Sequence, residues 1–383
     1  MYDKENEEWR KIMSAFILEY KLKQHKEIIH FQPDSPGATL RATELKPKLD
    51  QFLKDKAIDL PFETKGHLRY KVNISAQYDP SDAEQIHKRH PLFFGNMGNH
   101  DPKKEKKFVQ SSHISIRFIV FNLQIRTAIE KYFAEFLLTT NFGTRQSKGF
   151  GSFYIDPKDP NYQPPFDVLK QSLPFFLYFK HKSNNVSDDI SVIYNLMKSG
   201  INHPRFDDVY FRSFLTQYFH GLNIGNEKHF IKEKFFSPRV RIKSDGLEKR
   251  YIRAMLGVAG GVKFYDRERR GNIQFISDTI DRFKSPILFK VVDDYVFIIP
   301  TAMPEKELFD STFYFINTFN SRGRIIENKY PIKTPDHFDL KDFLSKYTKY
   351  FNELDRSSAK NIKDALCRKI VNTQPIKIKI HSQ

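Results

Sequence analysis

The sequence predicts an α+β fold, and three observations carry that prediction. Apolar and charged residues alternate with period 2 in several short runs, which marks strands with one wet face. Apolar residues recur at three- and four-residue spacing in others, which marks helices. Over residues 1–156 the two patterns follow the order strand, helix, strand, strand, helix, strand, a split β-α-β of ferredoxin-like, RRM-like type.

The first strand is read from Phe16, Leu18, Tyr20 and Leu22 alternating with Glu19, Lys21 and Lys23, and runs on to Phe31 before Pro33, Pro36 and Gly37 end it. From Ala38 to Leu53, Leu40, Leu45, Leu49, Phe52 and Leu53 predict a short helix that Pro47 interrupts. Leu68, Tyr70, Val72, Ile74 and Ala76 predict the second strand. The stretch Asp79 to Lys107, with five Gly or Pro residues and a lysine-rich run, reads as a long excursion of functional type. Ile114, Ile116, Phe118 and Val120 predict the third strand; Ile125, Ile129, Phe133, Phe136 and Leu137 the second helix; Phe153 to Ile155 the fourth strand.

A proline-rich stretch, Asp156 to Pro165, reads as a boundary, which puts a second α+β domain at residues 157–383. Its elements are a strand at Pro174–Lys180, a helix through Ile190, Ile193, Tyr194 and Met197, strands within Ile287–Ile299 and Thr312–Ile316, and a closing helix from Phe338 to Leu354.

Charge narrows the partners. The formal net charge of +17 predicts attraction to a polyanion, with nucleic acid foremost. A compositional bias toward Lys, Phe and Tyr is the plainer source of the same excess. One cysteine, Cys367, excludes an internal disulfide and a cysteine-based zinc cluster and fits a reducing, cytoplasmic setting. The acidic start of the chain lacks the order of a signal peptide, and no apolar run approaches membrane-spanning length, so no membrane association is expected.

Between the second helix and the fourth strand lies Gly143-Thr-Arg145-Gln-Ser-Lys148-Gly149-Phe150-Gly151-Ser152. Glycines free a backbone to approach a ligand, and Arg145 and Lys148 offer charge to phosphate oxygens. The loop has neither the Walker nor the Rossmann order, and no cofactor is expected. A tight turn with solvated charges is the competing reading.

Phe142 to Phe153 resembles the glycine-rich loop of the RAMP (repeat-associated mysterious protein) superfamily, and Pro36 to Leu49 resembles the turn-plus-helix that follows the first strand there. Arg282-Phe-Lys-Ser-Pro-Ile-Leu-Phe is similar to a strand entry in the two-domain RAMP subunit of type III-B (Cmr) CRISPR effectors. The resemblance covers residues 14–156 well and the second domain loosely. It implies a RAMP domain followed by a more divergent RAMP-like domain, partnered by crRNA, target RNA and other effector subunits in antiviral defence. It also implies RNA contact by Arg41, Lys46 and Lys48 and by the loop from Gly143 to Gly151.

In the second half, Arg239, Arg241, Arg250 and Arg253 stand in a basic stretch interleaved with Phe235, Phe236 and Tyr251, and Arg267 extends it. Such density suits phosphate contact with base stacking; aromatic core beneath a solvated face is the alternative. Catalysis has less behind it. His30, or His25 beside it, would serve a metal-independent endoribonuclease that processes CRISPR precursor RNA. Asp101, the adjacent carboxylates Asp188-Asp189 and Asp293-Asp294, and His87-x-x-His90 form no metal site by spacing. The readings in play are therefore a non-catalytic RNA-binding effector subunit, such a nuclease, and a basic RNA-binding structural protein outside CRISPR defence.

Overall fold

The computed structural model describes residues 16–29, 39–56, 59–78, 84–85, 107–182, 185–235, 246–258, 262–265, 270–280, 282–321 and 324–383. The chain forms two compact units. The first comprises Met1–Tyr178, Phe289–Ile299 and His381–Gln383, the second Phe179–Leu288 and Pro300–Ile380.

The first unit runs β1 (Ile17–Gln24), α1 (Ala42–Asp55), β2 (Lys71–Tyr78), β3 (Ser111–Ile119), α2 (Leu123–Thr139) and β4 (Phe153–Ile155). The sheet order is β2-β3-β1-β4, and every pairing is antiparallel, with Tyr20 opposite Ile116 and Gln24 opposite Phe153. In β1, Leu18, Tyr20 and Leu22 turn inward while Glu19, Lys21 and Lys23 face water, as period 2 requires. Helix α1 continues through Pro47 where the sequence suggested an interruption. The missing N–H removes one ladder bond, and the buried stripe Leu45, Leu49 and Leu53 at i, i+4, i+8 outweighs that loss. Asn122 caps α2 by accepting from the Ile125 N–H at 3.0 Å.

The core is aromatic. Phe133 lies 4.7 Å from Tyr20 and 5.1 Å from Phe118 by ring centroids, and Phe136, Phe142 and Phe153 extend the chain of rings edge to face. These rings reach from the sheet to the start of the glycine-rich loop, so the loop is anchored in the core at Phe142.

After α3 (Pro165–Ser172) and β5 (Phe175–Lys180), the second unit brings α4 (Val186–Lys198), α5 (Phe214–Gly221) and α6 (Glu227–Phe235). Then follow β6 (Val262–Tyr265), β7 (Arg270–Ser277), β8 (Ile287–Val292), β9 (Tyr295–Pro300), β10 (Thr312–Ser321), β11 (Arg324–Lys333), α7 (Leu340–Glu353), α8 (Ala365–Asn372) and β12 (Lys379–Ser382). A second sheet of the first unit takes Phe175–Tyr178, Phe289–Ile299 and His381–Gln383 in the order β8-β9-β5-β12. The strands expected within Ile287–Ile299 are β8 and β9. Asp293, at φ +47°, turns the chain between them with Asp294, so this carboxylate pair sits in a turn rather than on a strand.

In the second unit, β6-β7-β10-β11 is antiparallel. Helix α7 buries Phe343, Tyr347 and Phe351, and the Tyr347 hydroxyl donates to the Ile193 carbonyl at 2.6 Å, tying α7 to α4. Ser213, Asp339 and Asp364 cap α5, α7 and α8 with their side-chain oxygens. No helix among the described residues is long and apolar enough to cross a membrane.

Candidate nucleic-acid interface

The glycine-rich loop is strapped down along its length. The Phe142 N–H donates to the Gly151 carbonyl at 3.0 Å, which closes the loop at its neck. The Gly151 N–H donates to the Glu27 carbonyl at 2.8 Å and the Thr144 N–H to the Ile29 carbonyl at 2.8 Å, which fastens both limbs to the turn after β1. Gly151 has φ +67°, and a Cβ there would stand 1.9 Å from the Phe142 carbonyl oxygen; at Gly143, φ +76°, it would stand 2.6 Å from that of Ile29. These two glycines therefore serve close approach of the chain to its own backbone, where the sequence suggested approach to a ligand.

Phe150 is fully buried and stacks on Phe108 with centroids 5.5 Å apart, beside Ile29. It underpins the loop, and its ring is not presented to a base. Gly149 is buried as well, at φ +86°. The half-buried arc is Thr144 to Lys148; it carries Arg145, whereas the ammonium of Lys148 is turned inward and buried, away from where a phosphate would reach it.

Three polar side chains hold this arc. Glu44, in the first turn of α1, accepts from the Gly143 N–H at 2.9 Å and from Lys48 Nζ at 2.7 Å. Lys48 also donates to the Asn141 carbonyl at 2.9 Å, with its ammonium 4.9 Å from the Phe142 ring centre. Asn141, almost wholly buried, donates to the carbonyls of Gln146 at 2.7 Å and Phe289 at 2.9 Å. Lys48 thus works as a strut between helix and loop. Lys46 is a second strut, bound to Asp50 at 2.7 Å and to the Leu68 carbonyl at 2.8 Å, over the Tyr70 ring. Arg41 is the half-buried N-cap residue of α1, and its backbone carbonyl takes the first helical bond.

Beneath the loop lies Lys290, which sequence reading passed over. It has no exposed surface and donates to the carbonyls of Thr140 and Phe153, each at 2.9 Å, and to Asn141 Oδ1 at 3.3 Å. Burial, then the charge of Lys48, holds its amine well below the ordinary lysine range. The signal was present: a lone lysine inside Ile287-Leu-Phe-Lys-Val-Val.

His30 lies outside the described residues. His25 has a side chain 2% exposed, and its Nδ1 accepts from the Asp293 N–H at 3.0 Å, so Nε2 carries the proton. Burial pulls its pKa down to about 4 against the opposing charge of Asp293. An imidazole so enclosed is a structural group, since a general base must reach its substrate.

In the second unit, Arg239, Arg241 and Arg267 lie outside the described residues. Arg250 is ion-paired with Glu248 at 2.7 Å and Asp310 at 3.0 Å and also donates to the Thr334 carbonyl. Arg253 is paired with the buried Glu227. The charge of both is matched inside the unit, which removes them from the bare cations expected to grip phosphate. Tyr251 is buried among Phe275, Phe313 and Phe315, with centroids 5.0 to 5.4 Å away, and Phe235 packs edge-on to Tyr330. Tyr251 is core, and Phe235 is half-buried. His203, Asp364 and Cys367 bring three donor atoms within 4.8 Å of one another. However, His203 Nδ1 accepts from the Arg205 N–H, which leaves Nε2 protonated and donating to Asp364 at 3.0 Å. The imidazole then has no lone pair for a metal, and the trio reads as a neutral histidine hydrogen-bonded to the N-cap aspartate of α8.

Comparison with known families matches residues 15–201 to the Cmr1 N-terminal domain and residues 210–371 to the Cmr1 C-terminal domain. These matches and the two α+β units define the class: a RAMP protein in its two-domain form. Within that class the chain belongs to the Cmr1 family, on the type III-B branch. Among solved structures, the apo form of Cmr1 from Pyrococcus furiosus is similar at 13% identity with a TM-score of 0.40, over 76% of this chain and 90% of that one. No curated protein matches.

Proposed function

We propose that this protein is an RNA-binding subunit of a type III-B CRISPR ribonucleoprotein effector, contacting crRNA, target RNA or both. In this reading the first unit is a ferredoxin-like RAMP domain and the second a more divergent RAMP-like domain. Family membership supports the effector assignment. The observation that carries the RNA contact is the arc Thr144–Lys148, with Arg145 half-buried at its head on a segment whose neck, limbs and underside are all fixed from within the unit. A loop already held in one conformation loses little entropy when a strand docks on it, so its charge acts on phosphates with little reorganisation.

The test is single-stranded RNA binding across a salt series. Neutralising phosphates releases counterions, so affinity should fall steeply with salt, by about 0.7 in logarithmic slope for each contact. Arg145→Ala should lower both the affinity and that slope while the melting temperature holds. Wild-type binding by this variant would reduce the loop to a tight turn.

A further inference from the structure

The second unit holds a cavity of about 490 Å³, within the range of small-ligand sites. It lies where the end of α4 meets the short hairpin Ile201–Asn202 and Tyr210–Phe211 and the faces of α5 and α6. Three features single it out. Arg212, Lys228 and Lys232 line it together, and no carboxylate does. Lys228 and Lys232 stand at i, i+4 on α6, a like-charge pairing that disfavours a helix unless an anion sits between the two. Glu227, next to Lys228 in the chain, is turned into the unit, where it pairs with Arg253 and accepts from the Ile252 N–H at 3.2 Å.

The second feature is Tyr210, 60% exposed, on the wall of the cavity. Its neighbour Phe211 is buried, so strand alternation turns the tyrosine ring outward. The third is rigidity. Gly200, at φ +73°, ends α4 and lets the hairpin close against it; a Cβ there would be 2.6 Å from the Phe211 carbonyl oxygen. The His203 N–H donates to the Val209 carbonyl at 3.0 Å across the hairpin.

We propose that this cavity binds one nucleoside phosphate, its phosphate held by Arg212, Lys228 and Lys232 and its base laid on the ring of Tyr210. Guanidinium and ammonium groups supply charge-assisted hydrogen bonds to phosphate oxygens, and an exposed aromatic face stacks any base. The ligand is a free nucleotide or one nucleotide of an RNA strand. Only the second source rests on the RNA-binding function proposed above.

The experiment is calorimetric titration of the full chain with adenosine monophosphate, with inorganic phosphate, and with a short oligoadenylate. Adenosine monophosphate should bind. Arg212→Ala with Lys232→Ala should weaken it by roughly tenfold or more, and Tyr210→Ala by about tenfold, the worth of a stacked base, while leaving inorganic phosphate unaffected. All three side chains are at the surface, so unchanged melting of the variants confirms their fold. Competition between the monophosphate and the oligoadenylate assigns the pocket to an RNA nucleotide; independent binding assigns it to a free one. No binding of the monophosphate, or equal binding by wild type and both variants, overturns the proposal. Should that happen while RNA still binds through Arg145, the loop reading stands alone; monophosphate binding without RNA binding leaves the pocket and removes the loop.

Discussion

Replacing Gly151 with alanine isolates what the loop's neck is for. At φ +67° an L-residue costs about 1 to 2 kcal/mol in the left-handed region. The added Cβ would also lie 1.9 Å from the Phe142 carbonyl oxygen, a separation no pair of atoms sustains, so the backbone must move. Movement breaks the bonds from Phe142 N–H to Gly151 O and from Gly151 N–H to Glu27 O, each worth about 1 kcal/mol net. Against this stands a gain of about 0.4 to 1 kcal/mol from stiffening the unfolded chain. The expected loss is about 3 kcal/mol. Gly66 is the matched control in the same unit: its φ is +76°, but an added Cβ would meet only the tip of Lys54 at 3.7 Å. Gly66→Ala should cost about 1 kcal/mol. Urea unfolding followed by circular dichroism gives both numbers. If the two variants lose equal stability, backbone crowding at the neck is not what the glycine serves, and the account of the strapped loop fails.

Two further outcomes follow from buried and paired charges. His25 is held neutral when folded, with a pKa near 4 against 6.5 when unfolded, through burial opposed by Asp293 and Asp156 and aided by Lys290 and Lys23. The unfolded chain therefore binds the extra proton, and stability present above pH 6.5 is lost as pH falls toward 4, by about 3 kcal/mol at most; His25→Gln should flatten this part of a stability–pH curve. Arg250→Ala should cost about 1 kcal/mol of stability, because its partners Glu248 and Asp310 are well exposed, and should leave RNA affinity unchanged; a loss of RNA affinity at constant stability would return Arg250 to the phosphate-binding set.

The element order of the first unit was legible because each strand there has one wet face and each helix one apolar stripe, so periodicity alone separates them. At Ile287–Ile299 the strands are buried on both faces and show no alternation, so only the apolar run and the Asp293-Asp294 turn mark them. The glycine-rich loop was legible as a special backbone, but its reason was not. A glycine needed for the chain's own crossing looks, in sequence, like one needed for a ligand. Charge density alone does not show pairing, for a related cause. Arg250 finds Asp310 sixty residues away, and Arg253 finds Glu227 twenty-six residues before it. Counting cations within a window cannot see partners outside it.

Arg145 supplies the sharpest separation between scaffold and function. It occupies φ +59°, one of five non-glycine residues in the left-handed region among those described, at the head of the half-buried arc. A side chain there costs about 1 to 2 kcal/mol relative to glycine, offset by about 0.4 to 1 kcal/mol from the stiffer unfolded chain. Gly143 and Gly149 flank the position, so glycine is the residue its backbone favours. Strain kept at one residue of a well-fixed loop points to a use for its side chain. Arg145→Gly should therefore leave stability unchanged or raise it by up to about 1 kcal/mol, while RNA affinity falls and the salt slope drops by about 0.7. Arg145→Lys, which keeps the charge and the strained backbone, should retain most of the slope. If Arg145→Gly loses stability by more than about 1 kcal/mol while binding RNA as wild type does, the arginine is a brace of the loop, and the phosphate contact must be sought elsewhere.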